Sequence, residues 1–200
     1  MPLTMVAACL GLSFGAGISL YGVVLWLGAF RAFGWVSDLP GSLDILASAP
    51  ILVVVAGLAV IEFLADKRRR LDTLWDAAHI FVRGPGGALL VFMAMHESGW
   101  LVRLAAAFVG GALAFSTHST KASIRFTANA IREPIANLLL SLGEDVTVVV
   151  IVYLALFVPI AALAVVGVAC VAMAIYLPRV ALAFFVALNR TLNGFLARTR

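Results

Sequence analysis

Apolar residues run almost unbroken from Pro2 to Phe30, Ile51 to Ala65, Trp100 to Phe115 and Val146 to Leu177. Shorter apolar pieces cover Ala88 to Met95 and Pro134 to Leu142. About 20 apolar residues cross hydrocarbon as a helix, so the longer runs predict membrane spans. Gly11, Gly15, Ser19 and Gly22 recur in the first run at three- and four-residue spacings. Small residues so placed form a face for close helix packing, or a break that exposes backbone to a ligand. Pro50 opens the second span, as proline suits a first helical turn. Leu71 to Arg83 is amphipathic, and Gly84-Pro85-Gly86-Gly87 predicts its end. His96 to Gly99 reads as a polar turn before Trp100 to Phe115 crosses back. Pro134 to Gly143 is too short to cross and predicts a re-entrant segment. Val146 to Leu177 exceeds one span, with Pro159 and Gly167 as candidate breaks; a tight turn near Gly167 gives two crossings.

The expectation is therefore an all-α, polytopic membrane protein of about six crossings, some broken or re-entrant. Composition agrees: 64% of the 200 residues are hydrophobic and 12% charged, with mean hydropathy +1.10. Soluble domains are about half apolar and about a quarter charged. Residues 1–200 read as one membrane domain with halves 1–95 and 99–200. Each half holds a small-residue helix, a polar helical segment and a Val/Leu-rich span, an echo that fits an inverted repeat. Net charge is +4, and the cations gather at Lys67–Arg70, Lys121–Arg132 and Arg190–Arg200. Such clusters mark cytoplasmic faces, which predicts cytoplasmic N- and C-termini, with Arg31–Ala49 and His96–Gly99 outside. Because the clusters border apolar spans, nucleic acid is excluded as a partner. Cys9 and Cys170 lie in apolar runs, where packing is the expected role. The first run is too long for a signal-peptide core and reads as a transmembrane helix.

The polar residues inside this apolar chain are the candidates for chemistry. His118, Lys121, Arg125, Asn129 and Arg132 fall within roughly 80° of one helix face. Such a stripe suits an anionic headgroup, phosphate or carboxylate, or it lies on anionic lipid. Asp72, Asp76, His79 and Arg83 share another face, with Glu62 and Asp66 just upstream. Carboxylates near a histidine suit ion or proton handling or a metal; a solvated face or an internal ion pair is the plainer reading. Direct pairing of the acidic and basic stripes would make both structural. Asn137, Ser141, Glu144 and Asp145 form a third set. The acids there favour a helix N-terminus or join a polar cluster at a re-entrant tip. No nucleophile elbow, phosphate loop or metalloprotease motif occurs, and no cofactor or metal is expected.

Two blocks of these residues resemble a known family. The first is Glu62-Phe63-Leu64-Ala65-Asp66-Lys67, Asp72, Trp75-Asp76, His79, Phe81, Arg83 and Pro85-Gly86-Gly87-Ala88. The second is His118, Lys121-Ala122, Arg125, Asn129, Glu133-Pro134, Asn137, Ser141-Leu142 and Glu144-Asp145. Together, from about Gly11 to Asp145, they resemble the small bacterial membrane proteins catalogued as domain of unknown function 4126. The arginines after Lys67 and the run Ala130-Ile131-Arg132 depart from the family pattern. The resemblance implies a bacterial membrane protein, here expected in the inner membrane, and brings no activity. The residues themselves lead to a small permease or channel with a charged cavity, for an anionic solute or coupled to protons or ions. A structural protein that binds anionic lipid comes second, and an enzyme on a lipid-linked substrate third. Lipids, an unknown small solute or ion and a second copy of the chain are the expected partners.

Overall fold

The computed structural model describes the backbone of residues 3–131 and 134–198 and the side chains of 3–68, 71–128, 135 and 138–179. Seven α-helices and one 3-10 turn follow in order: α1 Leu3–Ile18, α2 Leu20–Ala32, η1 Leu43–Ala47, α3 Ala49–Asp66, α4 Arg69–Ala94, α5 Trp100–Ile131, α6 Pro134–Phe157 and α7 Pro159–Arg198. Among the described residues, five stretches are long and apolar enough to cross a membrane: Ala49–Asp66, Leu71–Ala94, Trp100–Ala128, Leu138–Phe157 and Pro159–Arg179. Val53, Phe81, Phe108 and Val168 are largely exposed, while Glu62, Asp72, Arg83 and Arg125 are buried. Charge inside and large apolar groups outside invert the pattern of a water-soluble protein and suit hydrocarbon. The chain is a multi-pass α-helical membrane protein.

The first apolar run does not form one crossing. It folds back at Ser19, whose extended backbone (φ −149°, ψ 106°) separates α1 from α2. Ser19 Oγ accepts from Gly22 N–H at 3.0 Å and so caps α2. The packing partners establish the reversal. Gly11 lies against Ala155 and Ala162, Gly15 against Ile151 and Val23, and Gly22 against Val148. The Phe30 ring is 6.2 Å from Phe157. Thus α1 read backwards and α2 read forwards both follow α6 toward its C-terminal end. The pair is a re-entrant hairpin with its tip at Ile18–Ser19. A Cβ on Gly15 would lie 2.8 Å from Val23 Cγ2 and 2.9 Å from Ile151 Cγ2, so glycine is what permits this approach.

Both outer ends of the hairpin lie at the bundle end that carries the Arg31–Ala49 connection, opposite Lys67–Arg70. This corrects the expectation that the N-terminus shares the basic end. Three other expected interruptions are also relocated. α4 continues through Gly84–Gly87. There Gly86 meets Leu20 of α2 and Gly87 meets Ala114 of α5, so the glycines serve as a packing surface. Packing by neighbours lets a membrane helix tolerate its proline. α6 runs unbroken through Pro134–Gly143, because Ser141, Glu144 and Asp145 find partners on neighbouring helices. α7 passes through Gly167, and of the two candidate breaks in that run it is Pro159 that marks the interruption, at Val158. Proline disfavours helical geometry in the residue before it and starts the next helix well. α5 joins the apolar Trp100–Phe115 run and the basic stripe in one helix. The hydroxyls of Thr117, Ser119, Thr120, Ser123 and Thr127 donate to carbonyls one turn back, which keeps a Ser/Thr-rich helix satisfied without water.

The Arg31–Ala49 connection closes the other end. Gly34 and Gly41 take positive φ, 74° and 62°. Ser42 N–H donates to Met93 O at 3.0 Å, and Leu39, Leu43 and Leu46 are buried. Asp44 accepts from Leu39 N–H at 3.0 Å and Arg31 Nε at 2.9 Å. Those bonds, the Leu39 N–H first, hold its carboxyl below the ordinary value.

Two predictions follow from this packing. A Cβ at Gly17 would collide with the Ala114 carbonyl and Thr117, whereas one at Gly57 meets open space. Thermal unfolding in detergent should find Gly17→Ala less stable by about 1–3 kcal/mol. Gly57→Ala should be neutral or gain up to about 1 kcal/mol. Because folding depresses the Asp44 pKa, its contribution is present above the unfolded value and is lost as pH falls through the folded one. Asp44→Asn should therefore melt earlier than wild type at pH 7 but converge with it below about pH 4.

Candidate functional site

The hairpin tip dictates the chemistry around it. α1 ends at Ile18, so its last carbonyls have no continuing helix to bond, and the helix dipole makes that end partly negative. Arg83 Nη1 donates to Gly17 O at 2.8 Å and also to Ile18 O. Lys121 Nζ donates to Ile18 O at 2.9 Å. At the start of α2 the dipole is positive, and Ser19 Oγ donates to Glu62. Glu62 also accepts from Arg83 Nη2 at 2.5 Å. Arg83 lies midway along the span Leu71–Ala94, which puts the tip and its charges at mid-depth. α3 fully buries just Glu62, Ala65 and Asp66, so this span docks through its acidic residues.

From the tip, the charges continue toward the end of the bundle that carries Lys67. Lys121 Nζ lies 3.2 Å from Asp66 and 3.4 Å from Glu144. Arg125 donates to Asp72 at 2.6 Å, to Asp66 at 3.1 Å and to Glu144, and to the Asp66 carbonyl at 2.9 Å. Its planar fork makes this multiple bonding available in a way an ammonium does not. At the rim, Lys67 Nζ meets Asp145 at 3.3 Å and Ser141 at 3.2 Å and sits 3.0 Å over the Phe63 ring. The result is a polar column from mid-depth to one face. In the other half, the hairpin, α6 and the end of α4 share an apolar core that includes Leu12, Val23, Ile151, Val152, Val91 and Ala94.

Asp76 stands apart within this column. It is 4% exposed, lies 3.8 Å from Arg83, and among the described residues neither of its oxygens takes part in a hydrogen bond. Ligand oxygens of Asp66, Asp72 and Asp76 lie within 4.8 Å of one another. This set could hold a small cation, though Lys121 and Arg125 already engage two of its members. His118 Nε2 bonds the Asp76 carbonyl at 2.9 Å, so Nε2 carries the proton. His79 Nδ1 donates to Trp75 O at 2.8 Å, its Nε2 faces Tyr21 Oη at 3.0 Å, and its ring stacks 4.2 Å from Trp75. An open cavity of about 510 Å³ lies beside the tip, lined by Ile18, Leu139, Leu140, Gly143, Glu144 and Thr147. Glu144, 18% exposed, is where the column meets that space.

A family model described as a domain of unknown function, DUF4126, matches residues 6–179. The chain belongs to this family. No match is found among curated proteins or among solved structures. The family match takes in both hairpin arms, every residue of the column and the first half of α7, well past Asp145, where the motif residues end.

The structure gathers Glu62, Asp66, Asp72, Asp76, Arg83, His118, Lys121, Arg125 and Glu144 into one network, with His79 beside it and Ser141 and Asp145 at its rim. The acidic and basic stripes pair with each other, as the plainer sequence reading allowed. The side chains of Asn129 and Asn137 lie outside the described residues. Sequence reasoning missed Tyr21, the Gly17 and Ile18 carbonyls, and the role of Lys67. The signal for the carbonyls was present as Gly-Ile-Ser-Leu-Tyr-Gly in an apolar run. Lys67 was masked by the arginines that follow it.

Removing one partner of a buried ion pair costs about 3–5 kcal/mol, whereas a rim pair is worth about 0–1 kcal/mol. Unfolding measurements should therefore find Arg125→Met strongly destabilised, because it removes the charged hydrogen bonds that Asp66, Asp72 and Glu144 accept from Arg125. Lys67→Ala should lie near wild type.

Proposed function

We propose that this protein is a small permease or channel of the membrane whose transported or coupling species is a proton or a small cation. The single observation that carries the reading is the convergence of a buried charged column on the broken tip of a re-entrant hairpin at mid-depth. Discontinuous helices whose ends serve ion sites near the bilayer midplane are a recurring device of transporters. Ionisable groups this deep are costly unless paired or hydrated, and they tend to mark ion pathways. Among the described residues, carboxylates outnumber cations in the column, which favours a cation or proton over an anionic solute. The apolar packing beyond the tip serves as the closed half of the path, and the cavity at Glu144 as its open half. The lipid-organising alternative loses its motivation, because His118, Lys121 and Arg125 are buried and point to no surface headgroup.

Purified protein in liposomes loaded with a pH-sensitive dye, under imposed proton, sodium or potassium gradients, should dissipate at least one gradient faster than empty liposomes. Lys121→Ala and Glu144→Gln, checked for intact folding by size-exclusion profile, should fall to the empty-liposome rate. Absence of flux under every gradient, together with lipid binding that weakens in salt, would point to the lipid-organising protein instead.

A further inference from the structure

We infer that Asp66, Asp72 and Asp76 together form a binding site for a monovalent cation of sodium's size. The inference deepens the permease reading, on which its role as a coupling site rests, by naming the cation and its seat.

Local structure sets the three carboxyls together. Lys67 and Arg68 alone join α3 to α4. Arg68 N–H donates to Ala65 O at 3.0 Å and Asp72 N–H to Arg68 O at 2.8 Å, which keeps the turn tight. Asp66, the last residue of α3, therefore falls beside the first turns of α4. Asp72 and Asp76 are one turn apart on one face of that helix. All three are at most 4% exposed, and a carboxylate oxygen of each lies within 4.8 Å of the others. Two of them have a place that involves no ion. Asp72 stands in the first turn of α4, where the helix dipole favours negative charge, and accepts from Arg125 at 2.6 Å. Asp66 accepts from Arg125 at 3.1 Å and from Lys121 at 3.2 Å. Asp76 lies one turn deeper, 3.8 Å from Arg83, and among the described residues neither of its oxygens is hydrogen-bonded. A buried polar group of that kind is costly unless something satisfies it.

A proton does not satisfy Asp76, because the resulting O–H would find no acceptor among the described residues either. A metal ion does, and it also accounts for the convergence of three carboxylates on one point. An ion with oxygen distances of about 2.3–2.6 Å, the calcium range that sodium shares, reaches all three. A carboxylate accepts about four bonds, so Asp66 and Asp72 can hold such an ion without releasing Arg125 or Lys121. The neighbours decide its charge. Arg83, Lys121 and Arg125 each lie within 4 Å of one of the three carboxylates, and they repel a divalent ion twice as strongly as a monovalent one. Glu144 provides the way in. It borders the open cavity and shares Lys121 and Arg125 with Asp66, so an ion admitted there meets a carboxylate at each step to the set.

The test is equilibrium binding of radioactive sodium to the full chain in lipid nanodiscs, at fixed pH and with no gradient, choline holding the ionic strength constant. Wild type should bind sodium saturably, and unlabelled sodium should displace the label far better than potassium or calcium. Sodium should also raise the melting temperature relative to choline. Asp76→Asn, checked by size-exclusion profile, should bind at least about tenfold more weakly, a loss typical even of groups that only support a metal ligand, and should lose the melting shift. Asp44→Asn, which removes a carboxylate at the opposite end of the bundle, should bind as wild type does. Should Asp76→Asn fail to fold, Asp76→Glu, which keeps the charge on a longer side chain, should change the sodium affinity. Absence of saturable binding in wild type overturns the site. So does binding left whole in Asp76→Asn or unmoved in Asp76→Glu, and displacement by potassium or calcium as effective as by sodium overturns the choice of ion. Sodium binding without flux supports this site while removing the permease. Flux without sodium binding that depends on Asp76 keeps the permease and removes this site.

Discussion

A carbonyl that ends a helix in the middle of a membrane protein cannot turn to water. Gly17 and Ile18 are in that position, because the chain reverses at Ser19 with neighbours on every side. Leaving such groups unbonded costs several kcal/mol each. Arg83 and Lys121 resolve this, and in doing so they bring two positive charges to mid-depth. Those charges in turn require carboxylates: Glu62 for Arg83, Asp66 and Glu144 for Lys121. Arg125 then completes the neutralisation of Asp66, Asp72 and Glu144. Much of the polar interior can be read as a consequence of one reversal in one apolar run.

The same logic explains why the bundle is asymmetric. α3 and α5 bring their C-terminal turns, and α4 and α6 their N-terminal turns, to one end of the bundle. Apart from Arg103, the charged residues of all four lie in the halves of these helices nearer that end or, for Arg83, at mid-depth. At the opposite end the hairpin fills the space that charge would otherwise occupy, and it does so with glycine, alanine and branched aliphatic residues. The Arg31–Ala49 connection folds inward over that end, with Ser42 bonded to the last turn of α4. One half of the protein is thus electrostatically dense and the other dry.

What the sequence disclosed follows the range of the interactions involved. Length and apolarity announced the spans, and the three- and four-residue spacing of Asp72, Asp76, His79 and Arg83, and of His118, Lys121 and Arg125, placed them on single faces. Both are local properties of a helix. Which face meets which is a tertiary fact, and so the mutual pairing of the two stripes stood only as one reading among others. The breaks were misplaced for a related reason. Glycine and proline at Gly84–Gly87, Gly143 and Gly167 carry the local signature of an interruption, but α2 and α5 pack against the first set and hold the helix through it. At Ser19 the local signature is weak, and the reversal is secured against Ile151 and Val148, residues that no short window could associate with it.

The glycines that let the hairpin sit against α4, α5 and α6 have a mechanical consequence. Where Gly17 meets Ala114 and Thr117, Gly110 meets Ser13 and Val91, and Gly11 meets Ala155 and Ala162, the surfaces in contact are nearly smooth backbone. Along these seams backbone and small side chains make much of the contact, and the larger groups set into the opposing helix include Leu20 at Gly86 and Ile151 at Gly15. The hairpin is therefore mounted as a bolt in a track: fixed across the track by close backbone approach, and held along it by those side chains and by the bonds at its tip.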